Sequence, residues 1–383
     1  MTWPTNPSSR TQSVHYGARK LGELISFEKG KKMAIDDDGE PYIGIDGLRT
    51  NQYAVYTRET KGVRCKPDDV LLVWDGAHAG TVGTGLSGFV GSTIVKVLHE
   101  NSLENKFLFY LLKLFQEKIR AAAQGAAIPH LSKAFVNNLI IPLPPLVTQK
   151  QIVERLDKIA EAQKLNDGLI QKSDELFDSI FHQEFQSKND KWENIKLEEV
   201  CEKIEQINPR AIFKDSFFYI DIASIDKEHV VKAQIILVKN APSRARKLVR
   251  TNDTIFSTVR PYLKHIAFIP ATLNGSIAST GFCVIRPKTN IADPCFISYV
   301  VNSDYFVNKI LPFQRGASYP AVSDTDIYNQ KIAFPSLKEQ RQIVAKLSAV
   351  QDYKKQLLGQ KTKLKELFDS ALAESMDPRH TKS

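Results

Sequence analysis

The sequence lacks the marks of a secreted, membrane or zinc protein. The four cysteines, Cys65, Cys201, Cys283 and Cys295, form no Cys-x-x-Cys pair and have no histidine at ligand spacing. Scattered thiols of this kind indicate a reducing compartment and argue against a zinc site. The polar start MTWPTNPSSRTQS has no apolar core of a signal peptide. No apolar run approaches the ~18 residues of a membrane span. We therefore expect a soluble, cytoplasmic protein with no bound metal and no membrane partner.

Signatures of catalysis are also missing. Residues 83–88, GTGLSG, satisfy the pattern G-x-G-x-x-G, but a strand-like run follows them. Without a following helix there is no helix N-terminus to hold a phosphate, so we interpret this segment as a turn. The Asn/Asp-Pro-Pro-aromatic run of amino methyltransferases does not occur, and the eight histidines have no partners at catalytic spacing. We predict no catalytic residue and no cofactor in this chain.

Acidic residues are fewer than basic ones. Lysine and arginine number 52 against 43 aspartate and glutamate, which gives a formal net charge of +9 and a pI near 9.1. A basic balance of this size points mildly to a polyanionic partner, although ordinary basic proteins share it. The length of 383 residues and the 42% hydrophobic content are enough for two domains.

Residues 144–180 predict a long amphipathic helix. Apolar residues recur at steps of four and three, which places one stripe on a helix and suits a two-helix seam. No proline interrupts the segment after Pro145, and at 1.5 Å per residue it would extend roughly 50 Å. The stripe consists of Ile152, Leu156, Ile159, Ile170 and Phe177. Such a stripe needs a partner surface.

An internal repeat supplies that partner. Shifting the numbering by 191 places residues 335–371 on residues 144–180 without a gap. Identities include Gln149 with Gln340 and Gly168 with Gly359. The second stripe consists of Ile343, Leu347, Val350, Leu357, Leu364 and Phe368. We expect the two helices to pack antiparallel as a coiled coil. The paired glycines indicate either local bending or close approach of backbones, and the close approach would lie at a helix crossing, as we favour, or where a partner docks.

The order of elements is an α/β domain, a long helix, and then both again. Strands are predicted near Pro41, Asp68 and Gly91 and at their counterparts near Phe218, Asn252 and Ala278, and helices over residues 105–123 and 294–311. The predicted domains are a loose leader at 1–20, a first domain at 21–143, a central helix at 144–185, a second domain at 190–334 and a C-terminal helix at 335–376. The fold class is α+β, with two α/β domains and two long antiparallel helices in a pseudo-two-fold repeat.

Basic residues cluster in both domains and are candidates for DNA contact. Arginine forks suit phosphate and the guanine edge in the major groove, although a solvated surface has the same composition. In the first domain acids at 36–38 and Glu40 dilute the signal. The candidates are Lys31, Lys32, Arg49, Arg58, Lys61 and Arg64 in the first domain, and Arg244, Arg246, Lys247, Arg250, Arg260 and Lys264 in the second.

The motifs and their duplication resemble the specificity subunit of Type I restriction–modification enzymes. The matching features are GAxxPxLS-like segments at Gly125 and Gly316, the IPLPPL run at Ile141, and proline-led PLxEQxxIV helix starts. The resemblance extends from Leu21 to about Met376. One departure is Thr148, where the second copy has Glu339; only the second copy can form a capping box with Ser336.

The resemblance implies two target-recognition domains, each reading one half of a split, asymmetric double-stranded DNA site. The helices would set the gap between the halves and dock two methyltransferase subunits that modify N6 of adenine. A motor–nuclease subunit would join in the full enzyme. S-adenosylmethionine, ATP and magnesium would belong to these partners, and this chain would carry no reaction.

Two other functions fit the same sequence. One is a stand-alone two-domain DNA-binding protein, which would bind its site tightly without any enzyme subunit. The other is a nuclease or methyltransferase hidden in the divergent halves, which would turn over DNA when supplied with metal or methyl donor alone.

Overall fold

The computed structural model describes residues 17–123, 129–226, 229–230 and 233–376. The chain divides into two compact units. The first unit comprises residues 1–168 and 358–383, and the second comprises residues 169–357. Each unit therefore combines one α/β domain with part of both long helices.

Strands and helices of the first unit follow one another along the chain. The strands are β1 (Ala18–Lys20), β2 (Ile25–Lys29), β3 (Glu40–Ile43), β4 (Tyr56–Thr57), β5 (Arg64–Cys65), β6 (Val70–Val73), β7 (Val82–Gly83), β8 (Gly88–Val90), β9 (Ile94–His99) and β10 (Ile140–Pro142). The helices are α1 (Ile45–Thr50), α2 (Asn105–Ala121), α3 (Lys133–Asn137) and the first part of α4 (Leu146–Glu184).

Two four-stranded sheets and one strand pair organise this unit. The sheet orders are β2-β9-β6-β7 and β4-β3-β8-β5, and β1 pairs with β10. Only the pair β3 and β8 is parallel among these strands. Strand β6 is buried throughout: Val70 and Leu72 enter one apolar cluster, and Leu71 and Val73 enter another. Because side chains alternate along a strand, β6 lies between two cores.

Elements of the second unit repeat this plan. The strands are β11 (Glu193–Lys196), β12 (Ser216–Ile220), β13 (Ile225–Asp226), β14 (His229–Val230), β15 (Gln234–Leu237), β16 (Ala245–Leu248), β17 (Thr254–Ser257), β18 (Ile266–Phe268), β19 (Ile277–Ser279), β20 (Phe282–Ile285) and β21 (Lys331–Phe334). The helices are α5 (Leu197–Val200), α6 (Pro209–Ile212), α7 (Pro294–Asn302), α8 (Asp304–Ile310), α9 (Asp324–Tyr328) and α10 (Leu337–Met376), whose last part belongs to the first unit.

The two domains share most of their topology; among the described strands, β2 has no counterpart in the second domain and the pair β13 with β14 has none in the first. The sheet β15-β12-β19-β16 reproduces β4-β3-β8-β5, including its single parallel pair, β12 with β19. The sheet β18-β17-β20 reproduces β7-β6-β9, and β11 pairs with β21 as β1 pairs with β10. The predicted α+β class with an internal repeat is therefore confirmed.

Several local predictions differ from the structure. Residues 18–20 form a strand and are not a loose leader. The strand predicted from Pro41 ends at Ile43, and a helix begins at Ile45. The helix predicted over residues 294–311 is two helices, because the Ser303 backbone is extended and its Oγ accepts from the N–H of Phe306 to begin α8. The first half of the first GAxxPxLS-like segment lies outside the described residues, since residues 124–128 are not described.

The start of α10 has the capping box predicted for it. The Glu339 carboxylate accepts from the Ser336 N–H at 3.0 Å and from the Ser336 hydroxyl at 2.7 Å. These hydrogen bonds from Ser336 hold the pKa of Glu339 below its ordinary value. Thr148 cannot make the same pair, and this difference is confined to helix initiation.

Gly168 and Gly359 do not mark close backbone contact. Both are exposed, and a Cβ added at either would meet no atom within 4 Å. The favoured prediction of a tight crossing at these glycines was therefore wrong. Each glycine costs up to about 1 kcal/mol relative to alanine in a helix, and no packing in the structure explains it.

Candidate nucleic-acid interface

A buried glutamine fastens the start of each long helix to the domain before it. Gln149 is fully buried on the first turn of α4. Its Oε1 accepts the N–H of Glu104 at 2.9 Å, and its Nε2 donates to the carbonyls of Ser102 and Pro144, both at 2.8 Å. Since Glu104 is the N-cap of α2, one side chain joins the starts of two helices.

Gln340 makes the same three contacts in the second unit. Its Oε1 accepts the N–H of Asp293 at 2.8 Å, and its Nε2 donates to the carbonyls of Ile291 at 3.2 Å and Pro335 at 2.9 Å. Asp293 is the N-cap of α7. Sequence reasoning recorded both glutamines as repeat identities and missed their role. A polar residue retained on the buried side of both helices was the available signal.

In the first unit, the beginning of α4 packs on the end of α10. The Nε2 of Gln163 donates to the Leu364 carbonyl at 3.1 Å, and Lys361 forms an ion pair with Asp167 at 2.9 Å. Ala371 and Leu372 share an apolar cluster with Leu156 of α4 and with residues of α2. Residues later in α4 contact residues earlier in α10, so the two helices are antiparallel here.

The same relation holds in the second unit. Lys354 pairs with Asp174, and Lys346 pairs with Glu184 at 2.6 Å. Hydrogen bonds from Lys346 and from Lys188 hold the pKa of Glu184 below its ordinary value. The predicted antiparallel helices are thus present in each unit taken by itself.

The predicted seam residues all lie on covered faces. Buried ones pack partly against the globular domains, because Leu156 and Ile159 join the first domain's core and Ile343 and Leu347 join the second's. The buried members are Leu156, Ile159, Ile343, Leu347, Val350 and Leu357, and the half-buried members are Ile152, Ile170, Phe177, Leu364 and Phe368. Each stripe therefore serves both the partner helix and a domain.

Candidate cations of the first domain are all exposed. Arg58 pairs with Asp38, and Arg64 pairs with Glu40 while lying over the Phe89 ring at 4.2 Å. The hydrogen bond from Arg64 lowers the pKa of Glu40. Lys31, Lys32 and Lys61 are in none of the ion pairs between described residues. The acids near residues 36–40 thus neutralise two of the candidate arginines.

Arg49 lies apart from those residues, at the rim of an open cavity of about 410 Å³. Lys113 and Arg120 of α2 also line it. Burial, and then the neighbouring Arg120, hold the pKa of Lys113 below its ordinary value. Arg49 itself pairs with Asp46 at 3.3 Å. The structure thus brings together three cations of which sequence reasoning named one.

Cations of the second domain have unlike surroundings. Arg244 and Arg250 are exposed, and Arg246 is half-buried with its Nε donating to the Ser243 carbonyl at 3.0 Å. Lys264 is half-buried and pairs with Asp304 at 2.7 Å. Arg260 is half-buried and stacks over the ring of Tyr319 at 5.4 Å.

Lys247 requires a correction, because it does not lie on the surface. It is 5% exposed, and its Nζ donates to the Phe282 carbonyl at 2.6 Å and pairs with Asp324. Side chains alternate in burial along β16: Ala245 and Lys247 are buried, and Arg246 and Leu248 are half-buried. Its ammonium group is occupied inside the domain, so its placement among DNA-facing residues is not supported.

A buried ion pair that sequence reasoning missed supports the Arg250 loop. Asp253 is 1% exposed and accepts from Arg286 at 2.9 Å and 2.7 Å. The same carboxylate accepts the backbone N–H of Arg250 at 2.7 Å. The position of an exposed candidate cation thus depends on a charge pair beneath it.

The glycine-rich segment and three of the cysteines have structural surroundings within the described part of the chain. Residues 82–83 and 88–90 are strands, so no helix follows the glycine-rich segment, as predicted. Cys65, Cys201 and Cys283 are buried, and burial raises the pKa of Cys65 to about 11. Within the described ranges, His, Cys, Asp and Glu side chains form no group of three that would hold a metal ion. Of the helices described, none is both long and apolar enough to cross a membrane.

Comparison with protein families gives one match in two segments. The model of the Type I restriction modification DNA specificity domain matches residues 14–172 and again residues 189–366. The two matches correspond to the two repeats found in the sequence.

Individual relatives and solved structures are similar to this chain to different extents. The specificity subunit of the Type I restriction enzyme MjaVIII from Methanocaldococcus jannaschii is 28% identical over 406 residues, covering 94% of this chain and 90% of the relative. The S subunit of a Type I restriction–modification system from M. genitalium has a similar fold, with a TM-score of 0.60 at 16% identity over 97% of this chain and 98% of that one. The HsdS subunit from Thermoanaerobacter tengcongensis is 44% identical, but the match covers 43% of each chain with a TM-score of 0.40.

Proposed function

This chain belongs to the Type I restriction modification DNA specificity domain family, and on that premise we propose that each of its two domains reads one half of a bipartite, asymmetric DNA site. The observation that carries the proposal is the repeat. Both domains share the order of the sheet that contains the parallel pair and the same glutamine anchor, while their exposed basic residues differ. Two equivalent scaffolds with unlike surfaces suit two unlike half-sites on one duplex.

The long helices would set the distance between the half-sites and dock two methyltransferase subunits. Ion pairs hold the helices antiparallel within each unit, which favours a stiff spacer. Leu176 and Leu367 occupy equivalent repeat positions and are 49% and 48% exposed. We propose these equivalent positions as parts of two equivalent partner contacts.

In this proposal the chain itself is not catalytic. S-adenosylmethionine binds to the methyltransferase subunits, and ATP and magnesium bind to the partners, including a motor–nuclease subunit in the full enzyme. The proposed phosphate contacts are the exposed candidate cations that form no ion pair with another described residue, namely Lys31, Lys32, Lys61, Arg244 and Arg250. Phosphate contacts dominate affinity and make it depend on salt concentration.

The proposal is tested by reconstitution. The full chain is combined with its methyltransferase subunit and S-adenosylmethionine, and modified adenines in genomic DNA are mapped. We expect one motif with two specified parts around an unspecified gap, and no motif when this chain is omitted. Tight specific binding by the chain alone would favour a stand-alone DNA-binding protein. Methylation or cleavage of DNA by the chain alone would contradict a non-catalytic subunit.

Exchanging one domain should change one half-site. Residues 21–140 are replaced by the corresponding segment of a relative, and methylated sites are mapped by methylome sequencing. We expect a new sequence in one half and an unchanged sequence in the other, because each domain has its own core. Alteration of both halves would contradict independent reading.

Lengthening the helices should lengthen the gap alone. One heptad is inserted after Ala160 and a matching heptad near Gln351, which preserves the seven-residue period of the apolar stripe. We expect a longer unspecified spacer and unchanged half-sites in the same mapping experiment. An unaltered spacer in an active complex would contradict the role of the helices as a ruler.

A further inference from the structure

A loop in each domain is held by the same backbone hydrogen bonds. In the first unit, Gly76 N–H donates to the Pro129 carbonyl at 2.9 Å, and Leu131 N–H donates to the Trp74 carbonyl at 3.0 Å. Val73 N–H donates to the Thr81 carbonyl at 2.8 Å. These bonds close the loop of residues 76–80 between β6 and β7.

The second unit has the equivalent bonds. Arg260 N–H donates to the Pro320 carbonyl at 2.8 Å, and Val322 N–H donates to the Thr258 carbonyl at 2.9 Å. Ser257 N–H donates to the His265 carbonyl at 3.0 Å. Arg260 therefore occupies the position of Gly76, and Lys264 occupies the position of Gly80.

Both loops require a left-handed backbone at these two positions. The φ angles are +100° at Gly76 and +90° at Gly80, and they are +47° at Arg260 and +51° at Lys264. Glycine adopts this conformation freely, whereas a side chain with a Cβ is strained in it. The other described non-glycine residues with positive φ are Asn51 and Asn252, a type that tolerates it. At these two positions the second domain therefore has arginine and lysine, whereas the first domain has glycine.

Strained backbone conformations cluster at functional sites, which makes Arg260 a candidate for a functional side chain. The Arg260 guanidinium lies over the Tyr319 ring at 5.4 Å and donates to the Ser318 carbonyl at 3.4 Å. Tyr319 is 73% exposed. Among the ion pairs of described residues none includes Arg260, whereas Lys264 pairs with Asp304. Arg260 is therefore an oriented cation at the surface, and no carboxylate of the described residues neutralises it.

The first domain has different chemistry at the same place. In the second domain Val259 and Ala321 form an isolated β-bridge, and the equivalent β-bridge of the first domain is formed by Asp75 and His130. The Asp75 carboxylate contacts His130 Nδ1 at 2.6 Å and accepts from Lys29 at 2.7 Å. Burial raises the pKa of Asp75, but these hydrogen bonds reverse the effect and leave it below its ordinary value. Equivalent loops therefore present an acid–base cluster in one domain and a stacked arginine in the other.

We propose that Arg260 is a specificity-determining residue of the second domain, whose guanidinium, oriented by Tyr319, binds the O6 and N7 edge of one guanine in the second half-site. This inference rests on the proposed function and adds the residue and the base. A planar fork of donors fits that edge in two bonds, and stacking on an aromatic ring restrains the fork before DNA binds.

The test uses the Arg260→Gly variant of the full chain, assembled with its methyltransferase, and duplexes carrying the mapped site. We expect the variant to unfold at the same urea concentration as the wild type or a higher one, because glycine relieves the backbone strain. Affinity for the site should fall by roughly ten- to hundred-fold, whereas affinity for unrelated DNA should stay unchanged. Replacing each guanine of the second half-site in turn by 7-deazaguanine should weaken the wild type at one position and leave the variant insensitive there.

Two further variants separate the backbone conformation from base reading. Arg260→Met keeps a long side chain on the strained backbone but has no hydrogen-bond donor, so it should lose sensitivity to the same 7-deazaguanine. Lys264→Gly is the matched glycine control and should retain it, because Lys264 is already paired with Asp304.

Uniform weakening on all DNA would show a phosphate contact and overturn the proposal, and so would unchanged affinity in Arg260→Gly. Loss of folded protein in Arg260→Gly together with full base sensitivity in Arg260→Met would assign Arg260 a structural role. A wild-type complex without any sequence preference would instead contradict the proposed function itself.

Discussion

Arg286→Met should lower the free energy of unfolding of the second unit by about 3–5 kcal/mol, because it leaves a buried carboxylate without its partner. Asp253 is 1% exposed and receives two hydrogen bonds from Arg286, at 2.9 Å and 2.7 Å. Methionine fills similar space but supplies no charge and no donor. The Leu248 carbonyl, which accepts from the same guanidinium at 3.1 Å, also loses its partner.

Urea denaturation of the full chain, followed by circular dichroism, measures this effect. Arg58→Met is the matched control, since Arg58 and Asp38 form an exposed ion pair that contributes at most about 1 kcal/mol. Adding Asp253→Leu to Arg286→Met should recover part of the stability, because an apolar pair has no unpaired charge. A loss below about 1 kcal/mol for Arg286→Met alone would show that the carboxylate finds another partner.

Gln340→Leu should destabilise the second unit by about 3 kcal/mol. The substitution leaves the Asp293 N–H and the carbonyls of Ile291 and Pro335 without their shared partner, and each unpaired buried group costs about 1–3 kcal/mol. Gln149→Leu should have the same effect on the first unit, since its three hydrogen bonds are equivalent. We therefore expect the two substitutions to lower the free energy of unfolding by similar amounts, each in its own unit.

Gln342→Leu is the control for this prediction. Gln342 lies on the same helix two residues later and is exposed, so its replacement should change stability by no more than about 0.5 kcal/mol. The comparison is made by urea denaturation of the three variants and the wild type. Equal effects of Gln340→Leu and Gln342→Leu would mean that burial of the amide does not matter.

Element type and repeat were predictable because both depend on local pattern. The apolar stripe with a seven-residue period in residues 144–180, and its copy in residues 335–371, predict two long helices, which the structure has. Failures occurred at changes of element. The β-branched run after Pro41 continues apolar into α1, and the aromatic run after Pro294 conceals the break at Ser303. A short apolar stretch suits a strand and a helix equally, and only packing decides between them.

The amino-acid sequence by itself determined the duplication, the two long helices and the basic character of both domains, because periodicity and charge are properties of neighbouring residues. Tertiary structure alone decided which polar side chains are structural and which face solvent. Lys247 and Arg250 are three residues apart, yet one is buried against Asp324 and the other is exposed. Tertiary structure also decided that Arg260 is equivalent to Gly76, because this equivalence is visible only in the backbone hydrogen bonds. Burial and hydrogen-bond partners depend on residues distant in the chain, so no local pattern contains them.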